Sequence, residues 1–353
     1  MRKLSIIILL LVSLSGFSTN LYWKNLTGNS NVLSNWATDT VTWTTALALP
    51  TSVDNVFFTK AAGNVTCTLT ATISCFNWDC HGFTGTVVSN GTLYPVSIYG
   101  NGYLMGTMPI VTASFYCRNT SAATWQSNGV HIGNFYKYEG NGEMKLLDAM
   151  YCVGMNMTAG LLNYNGQSVT ENTFAITSST SPSSLTTGNA NITITANACL
   201  DVATNGSNFT LNATGSTIHI TSGNPTFKGN GLTFGNLYIE GINGTATITG
   251  SNHFAELKVN VTSGKTVKFT DGTTQTVTTL TADGTPGNRI TLTGTSTAGW
   301  AIIKSSGITR VSFCNISYST ATGGDWMAGS NSTSLGFNSG WKFNNSLLFG
   351  TNF

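Results

Sequence analysis

The sequence predicts an all-β protein folded as a right-handed parallel β-helix, a solenoid with capped ends. Three observations favour this fold: short runs in which apolar and polar residues alternate, turn-forming residues about every 8 to 12 positions, and a duplicated stretch in the middle of the chain. Tandem β-sandwich domains are the alternative, since they share the first two features. Only 8% of the 353 residues are charged, and Gly, Asn, Ser and Thr take their place, which suits long polar rows on β surfaces.

Residues 1–18 are typical of a secretory signal peptide. Arg2 and Lys3 are basic, Leu4 to Val12 is apolar, and Ser13 to Gly16 is a stretch of mostly small residues. The apolar run is shorter than the roughly 20 residues that cross a bilayer. We therefore expect cleavage near Ser18, no membrane span afterwards, and a protein that is secreted or displayed on a cell or virion surface. A retained N-terminal anchor is the alternative.

The rest of the chain divides into three parts. We expect residues 19–110 to form an N-terminal cap and the first turns, residues 111–313 the duplicated body, and residues 314–353 a C-terminal cap. The ends of a solenoid must be covered, because exposed strand edges invite aggregation. Tryptophans are the natural covering residues, and they lie at both ends of the sequence: Trp23, Trp36, Trp43, Trp326 and Trp341.

Strand signals are clearest in the second half of the body. Four runs there place Val, Leu, Ile or Phe on one face and Thr, Lys or Asn on the other. They are Phe254–Thr262, Lys265–Thr270, Gln275–Thr281 and Arg289–Thr293. The one candidate helix, Glu143–Met157, does not keep a clean helical spacing.

The duplication concerns Thr124–Gly142 and Thr226–Gly244, which share eight of nineteen residues. The matched residues are mainly Gly and Asn, the types that tolerate left-handed backbone at tight corners, and none is charged. We therefore interpret the duplication, with units near 124–166 and 226–272, as repeated architecture rather than a repeated site. A period of about 100 residues would hold four or five turns of roughly 20–25 residues.

Seven cysteines make an odd number for an exported chain. Cys75 and Cys80 are close enough in sequence to be considered as a disulfide, which an extracellular setting would allow. However, Cys67 alternates with Val65 and Leu69 as strand residues on one face do. This pattern favours buried thiols that act as small hydrophobic residues.

Three stretches carry a resemblance to a known kind of protein. They are "SNWATDT…LPTSVDNVFF", "SCFNWDCHGFTGTV" from Ser74 to Val87, and "CNISYSTATGGDWMAGSNSTSLGFNSGWKF" from Cys314 to Phe343. Together they resemble secreted or virion-associated β-helical surface proteins of bacteria and phages, and the first stretch also resembles the start of autotransporter adhesin passengers. The resemblance implies an extended, surface-displayed β-helix, and it implies no catalytic residue.

An enzyme, either a polysaccharide lyase or a glycoside hydrolase on a β-helix, is the second hypothesis for function. Hydrolysis needs two facing carboxylates, whereas the 13 acidic residues are scattered and the nearest pair is Glu139 and Glu143. Acids distant in sequence can still meet on a solenoid face. No cofactor is expected; Asp325 with Asn331 is a weak candidate for Ca²⁺, because few carboxylates are near.

The leading hypothesis is an exported, non-enzymatic surface or fibre protein that binds a cell-surface receptor, with a glycan favoured. Exposed aromatic side chains on a solenoid face can stack on sugars, and the candidates are Tyr136, Tyr238 and Trp125. For Trp125 and its counterpart Phe227, packing in the core is the competing role. A structural spacer or decoration protein without ligand is the third hypothesis. The net charge of +2 provides no reason to expect a nucleic-acid partner, and a homo-oligomer is compatible with the sequence.

Overall fold

The computed structural model describes residues 18–24, 26–59, 65–90, 94–109, 111–177, 180–202, 206–261 and 263–343. The predicted signal peptide therefore lies, apart from Ser18, outside the described residues. The described chain forms 36 β-strands and two short 3-10 turns, Leu33–Asn35 and Gly206–Asn208, and this part contains no α-helix. It also contains no helix that is long and apolar enough to cross a membrane.

The strands are numbered in chain order. Those of the N-terminal part are β1 (Asn20–Trp23), β2 (Gly28–Asn29), β3 (Trp36–Ala37), β4 (Asn55–Phe57), β5 (Thr66–Leu69), β6 (Ile73–Cys75), β7 (Trp78–Asp79), β8 (Thr86–Ser89), β9 (Val96–Ile98) and β10 (Gly102–Tyr103). Those of the middle are β11 (Phe115–Cys117), β12 (Ala123–Gln126), β13 (His131–Lys137), β14 (Glu143–Leu146), β15 (Met150–Met157), β16 (Gly160–Asn163), β17 (Val169–Glu171), β18 (Thr173–Ile176), β19 (Ser183–Thr186), β20 (Asn191–Ile194), β21 (Leu200–Asp201), β22 (Phe209–Ile220) and β23 (Thr226–Lys228). Those of the C-terminal part are β24 (Thr233–Ile239), β25 (Thr245–Thr249), β26 (His253–Val259), β27 (Lys265–Phe269), β28 (Thr274–Ala282), β29 (Ile290–Gly294), β30 (Trp300–Ile303), β31 (Ile308–Arg310), β32 (Cys314–Ile316), β33 (Ser319–Thr322), β34 (Asp325–Met327), β35 (Thr333–Ser334) and β36 (Trp341–Lys342).

One column of thirteen parallel strands runs through the molecule, and each strand in it is one turn further along the solenoid. The column consists of β6, β9, β11, β13, β15, β18, β21, β23, β25, β27, β29, β32 and β35. Within this column, Asn315 pairs with Thr333 across the shortest turn and Asp201 with Lys228 across the longest, so a turn along the column takes 18 to 27 residues. The predicted parallel β-solenoid is confirmed, and the tandem sandwich alternative is wrong.

Each turn visits three faces in a constant order. Face 1 contains β4, β7, β10, β12, β14, β16, β19 and the start of β22. It continues through the starts of β24, β26 and β28 to β30 and β33. Face 2 contains β17, β20 and the ends of β22, β24, β26 and β28. Face 3 is the column of thirteen strands. Strands such as β13 and β24 are long because they bend around a corner and serve two faces.

The duplicated units keep their strands but not their faces. Both contain a strand, a long bent strand and a further strand, and β13 and β24 have the same burial pattern. However, β12 lies on face 1, whereas its counterpart β23 stacks on face 3. The 102 residues between the units therefore correspond to four and two-thirds turns. This agrees with the predicted four or five turns, and it separates equivalent residues onto different faces.

Apolar side chains fill the interior from one end to the other. At the N-terminal end, Trp23 and Trp36 are fully buried with ring centroids 5.1 Å apart, and both pack on Phe58. At the C-terminal end, Trp326 packs on Trp341 with centroids 5.3 Å apart. Aromatic pairs of this kind contribute about 0.5–1.5 kcal/mol beyond the area they bury. Four of the five tryptophans named from the sequence are thus buried in the core, two near each end, whereas Trp43 is partly exposed.

All seven cysteines are buried and free, so Cys75 and Cys80 form no disulfide. Burial raises the pKa of the Cys117 thiol to about 12, and it does the same for Cys199 and Cys314. A thiol with such a pKa stays protonated and unreactive at neutral pH. The cysteines therefore act as small core residues.

Candidate functional site

Near the N-terminal end, face 1 repeats a triplet of residues in three consecutive turns. The triplets are Asn55–Phe57, Asn77–Asp79 and Asn101–Tyr103. Val56 pairs with Trp78, which sets the first two triplets directly over one another. Because alternate strand residues face opposite sides, the buried middle residue leaves the Asn and the third residue pointing outward. The result is two adjacent outward rows, one of amides and one of larger side chains.

The amide row is held by its own hydrogen bonds. Asn77 Nδ2 donates to Asn55 Oδ1 at 2.8 Å, and Asn55 Nδ2 donates to Asn20 Oδ1 at 3.0 Å. Asn77 Oδ1 also accepts from the backbone N–H of Asn101 at 2.7 Å. Each amide is oriented by its neighbour in the adjacent turn. A ligand would therefore meet polar groups that are already in place.

The second row combines aromatic rings with one carboxylate. Tyr22 and Phe57 stack with ring centroids 5.1 Å apart, and His81 lies flat on Tyr103 with centroids 3.6 Å apart and planes 7° apart. Asp79 accepts from the backbone N–H of His81 at 2.8 Å and lies 2.5 Å from its Nδ1. The carboxylate thus fixes the imidazole, and the imidazole fixes one side of the Tyr103 ring.

These two rows border a groove of about 390 Å³, which we call the triplet groove. Its volume is in the range of small-molecule sites. Asp79 is the only carboxylate among the described residues that line it. The side chains that give it its chemical character are Phe57, Asn77, Asp79, Asn101, Tyr103 and Gln126. Aromatic faces accept apolar ring surfaces, and amides both donate and accept hydrogen bonds.

Tyr136 lies on face 3 in a cluster of tyrosines. Its ring centroid is 4.4 Å from that of Tyr116, which also stacks on Tyr138 at 4.9 Å. Arg118 lies 4.3 Å above the ring of Tyr138 and forms an ion pair with Glu139. Desolvation and the neighbouring tyrosines raise the pKa of Tyr116. The faces of these rings are largely occupied by one another and by the guanidinium group.

Tyr238 lies on face 2 among charged residues. Its hydroxyl donates to Glu256 Oε2 at 2.8 Å, and this hydrogen bond is the main cause of its raised pKa. Lys258 Nζ lies 5.1 Å from the ring centroid, and the neighbouring His219 Nδ1 is 3.2 Å from Glu240 Oε2. The two predicted tyrosines thus have different neighbours and lie on different faces, because the duplicated units are four and two-thirds turns apart.

Trp125 has no exposed surface. Its ring packs between Phe115, with centroids 4.8 Å apart, and Phe135, with centroids 5.2 Å apart. It also fills the space over Gly102, where a Cβ would come within 2.2 Å of the indole. The sequence allowed Trp125 either to stack on a ligand or to pack in the core, and the structure places it in the core. It packs from inside against Gly102, which lines the triplet groove.

The residues considered for Ca²⁺ have other partners. Asp325 Oδ1 accepts from Lys342 Nζ at 2.5 Å, and the backbone carbonyl of Asn331 accepts from Arg289 at 2.6 Å. Within the described ranges, no three His, Cys, Asp or Glu side chains are grouped as metal ligands. Glu139, one member of the nearest acidic pair, is paired with Arg118, and Glu143 accepts from Asn163 Nδ2 at 2.7 Å.

The residues of the triplet groove were not among the candidates predicted from the sequence, although the sequence contains a recurring pattern that marks them. The pattern of Asn, any residue, and then Phe, Asp or Tyr recurs after 22 and then 24 residues, the length of one turn. A search for recurrence at the length of one turn would find these three triplets. The same pattern also occurs inside the duplication, at Asn134–Tyr136 and Asn236–Tyr238, but those residues lie on other faces of the solenoid. The chain matches no known family profile, no curated protein and no solved structure.

Proposed function

We propose that this protein is a non-enzymatic, exported surface or fibre protein that binds a glycan through the triplet groove. The observation that carries the proposal is the pairing of two rows: aromatic rings at Phe57 and Tyr103 beside amides at Asn77 and Asn101 that hydrogen bonds to the neighbouring turns orient. A sugar ring has an apolar C–H face and a rim of hydroxyls. The rings would pack on that face, and the amides and Asp79 would bond the hydroxyls.

The composition of the groove favours binding over hydrolysis. Hydrolysis of a glycosidic bond uses an acid and a base or nucleophile, both carboxylates, on opposite sides of the bond. The triplet groove offers Asp79, which already accepts from His81. The best alternative acidic pair is Glu240 and Glu256, which both act on Tyr238. These two residues are the ones to test if the protein proves to be an enzyme.

The experiment uses the mature chain, residues 19–353, with immobilised polysaccharides and whole bacterial cells. Retention and the release of new reducing or unsaturated sugar ends are measured in the same samples. We expect retention without new ends. Tyr103→Ala should weaken retention roughly tenfold, which corresponds to about 1.4 kcal/mol.

Tyr151→Ala is the matched control. Tyr151 is a partly exposed tyrosine that stacks on His131, with planes 7° apart, as Tyr103 does on His81. It lies outside the triplet groove, so its removal should leave retention unchanged. New sugar ends would replace the proposal with the enzyme hypothesis. Absence of retention on every surface would favour the structural spacer.

A further inference from the structure

A second groove lies at the other end of face 1. It has a volume of about 360 Å³ and is bordered by β28, β30 and β33, and we call it the threonine groove. Thr274 pairs with Ala301 in the next turn, and Ala301 pairs with Thr320 in the turn after that. The floor is therefore rigid sheet, as it is in the triplet groove.

Two aromatic rings form one wall of this groove. Tyr318 and Phe337 stack with planes 5° apart and centroids 5.0 Å apart, and Phe337 is 80% exposed. Their backbone φ angles are +54° and +57°. A bulky residue with left-handed backbone is strained, and such strain persists where the surroundings impose it and is concentrated at functional sites. Glycine or asparagine would be the ordinary residues at these corners.

The remainder of the lining is uncharged and rich in hydroxyl groups. Among the described lining residues there is no acid, no lysine, no arginine and no histidine. Hydroxyl groups come from four threonines, and Gly272 and Gly299 also line the groove. The threonines are Thr273, Thr274, Thr297 and Thr320.

We propose that the threonine groove is a second binding site on this chain, specific for an uncharged saccharide unit. Phe337 provides the platform for the ring, and the threonine hydroxyls exchange hydrogen bonds with sugar hydroxyls. An ionic ligand would find no countercharge there, and moving its charge out of water would be costly. The inference deepens the proposed function and rests on it, because both grooves would hold parts of the same kind of polymer.

The test uses the mature chain with dextran, mannan, galactan and xylan as neutral probes and alginate as the anionic probe. Phe337→Gly removes the platform and relieves the left-handed strain. We expect at least about a fivefold loss of retention on a neutral probe, with a thermal midpoint that is equal to or higher than that of the unmodified chain. If Phe337 had only a structural role, the variant would retain the neutral probe as before and would have a lower thermal midpoint.

Phe313→Gly is the matched control. Phe313 also has left-handed backbone, with φ +49°, but it lies outside the threonine groove. Its replacement should relieve strain and leave retention unchanged. Unchanged retention in Phe337→Gly, or retention of alginate only, would overturn the second site. If Tyr103→Ala still loses retention in that case, the proposed function stands, whereas failure of the unmodified chain to retain any probe overturns both.

Discussion

Two buried ionisable residues, Lys265 and Glu171, differ in whether their polar atoms have hydrogen-bond partners. Lys265 is 2% exposed, and its Nζ donates to the carbonyl oxygens of Gly223 at 2.6 Å and Asn243 at 2.8 Å. One amine thus joins three consecutive turns. Glu171 is 1% exposed, and its Oε2 has no hydrogen-bond partner in the described structure. Burial without a partner disfavours the ionised carboxylate.

The contribution of Lys265 can be measured against a neighbour on the same strand. Lys265→Met should lower the free energy of unfolding by roughly 2 kcal/mol, because two carbonyl oxygens lose a charged donor that links three turns. Lys268 lies on β27 with its side chain outward, so Lys268→Met should change stability by less than about 0.5 kcal/mol. Urea denaturation of both variants at pH 7 gives the comparison. Equal losses of stability in the two variants would contradict the proposal that the Lys265 amine stabilises the fold by linking three turns.

Glu171 predicts a pH dependence of stability. Burial raises its pKa well above the ordinary value of 4.5, and the nearby Tyr164 and Cys152 are neutral groups that also stay protonated. The folded chain therefore keeps a proton that the unfolded chain releases. The contribution of this residue to stability is fully present below pH 4.5 and declines as the pH rises towards the folded pKa.

Glu171→Gln should therefore match the unmodified chain near pH 4 and be more stable than it at pH 7. Urea midpoints at a series of pH values between 4 and 8 would measure this difference. If the urea midpoints of the two proteins differed by the same amount at every pH, Glu171 would not be the cause of the pH dependence of stability.

At the scale of elements, the matched residues of the duplication have two distinct roles. Asn128 and Asn230 have φ angles of +49° and +54°, so the predicted left-handed corners are confirmed there. Gly133 and Gly235 instead lie where β13 and β24 bend between faces. A Cβ at Gly133 would come within 2.6 Å of the Thr112 carbonyl oxygen in the preceding turn. These glycines are required by the close approach of successive turns.

Gly235→Ala tests this requirement. The added Cβ would lie 2.2 Å from the carbonyl oxygen of Ser216, so backbone must move, and we expect a loss of roughly 1–3 kcal/mol in unfolding free energy. At Gly223 the nearest atom, the Ile242 carbonyl oxygen, would be 3.4 Å away. Gly223→Ala is the control and should cost far less in the same urea titration. Comparable losses would show that crowding at β24 is not the reason for the glycine.

At the scale of the whole molecule, the solenoid places two grooves on one face. Register pairs along face 1 separate Tyr103 from Ala301 by about nine strand spacings, which is roughly 43 Å at ~4.8 Å per strand. Under the proposed function, a flexible polymer longer than this span would occupy both grooves. The second contact is then intramolecular and adds affinity without any new chemistry.

The expected result is a dependence of affinity on polymer length. Fractions of the retained neutral polysaccharide that exceed the span should bind on the order of 10²-fold more tightly than fragments too short to reach both grooves. Phe337→Gly should leave one working groove. The remaining advantage of long fractions would then be only that each chain carries more copies of the sugar unit that binds. Surface plasmon resonance with size-fractionated polymer provides the measurement. The same length dependence in the variant would show that the grooves do not act together.

The sequence by itself predicted an all-β solenoid in preference to tandem sandwiches, four or five turns for the duplication, left-handed corners at its matched Asn and Gly residues, and buried cysteines as core residues. These follow from local rules: period-two alternation decides which side chains point inward, and Gly and Asn mark the corners. The same alternation leaves open which outward residues become neighbours.

Only the tertiary structure decided which residues share a face. Turns along face 3 vary from 18 to 27 residues because corners differ in length, so the position of a residue around the solenoid depends on every corner before it. Tyr136 and Tyr238 match in sequence and yet lie on different faces. Asn55, Asn77 and Asn101 come together because the turns between them differ little in length, and the buried positions of Lys265 and Glu171 likewise depend on the turns around them.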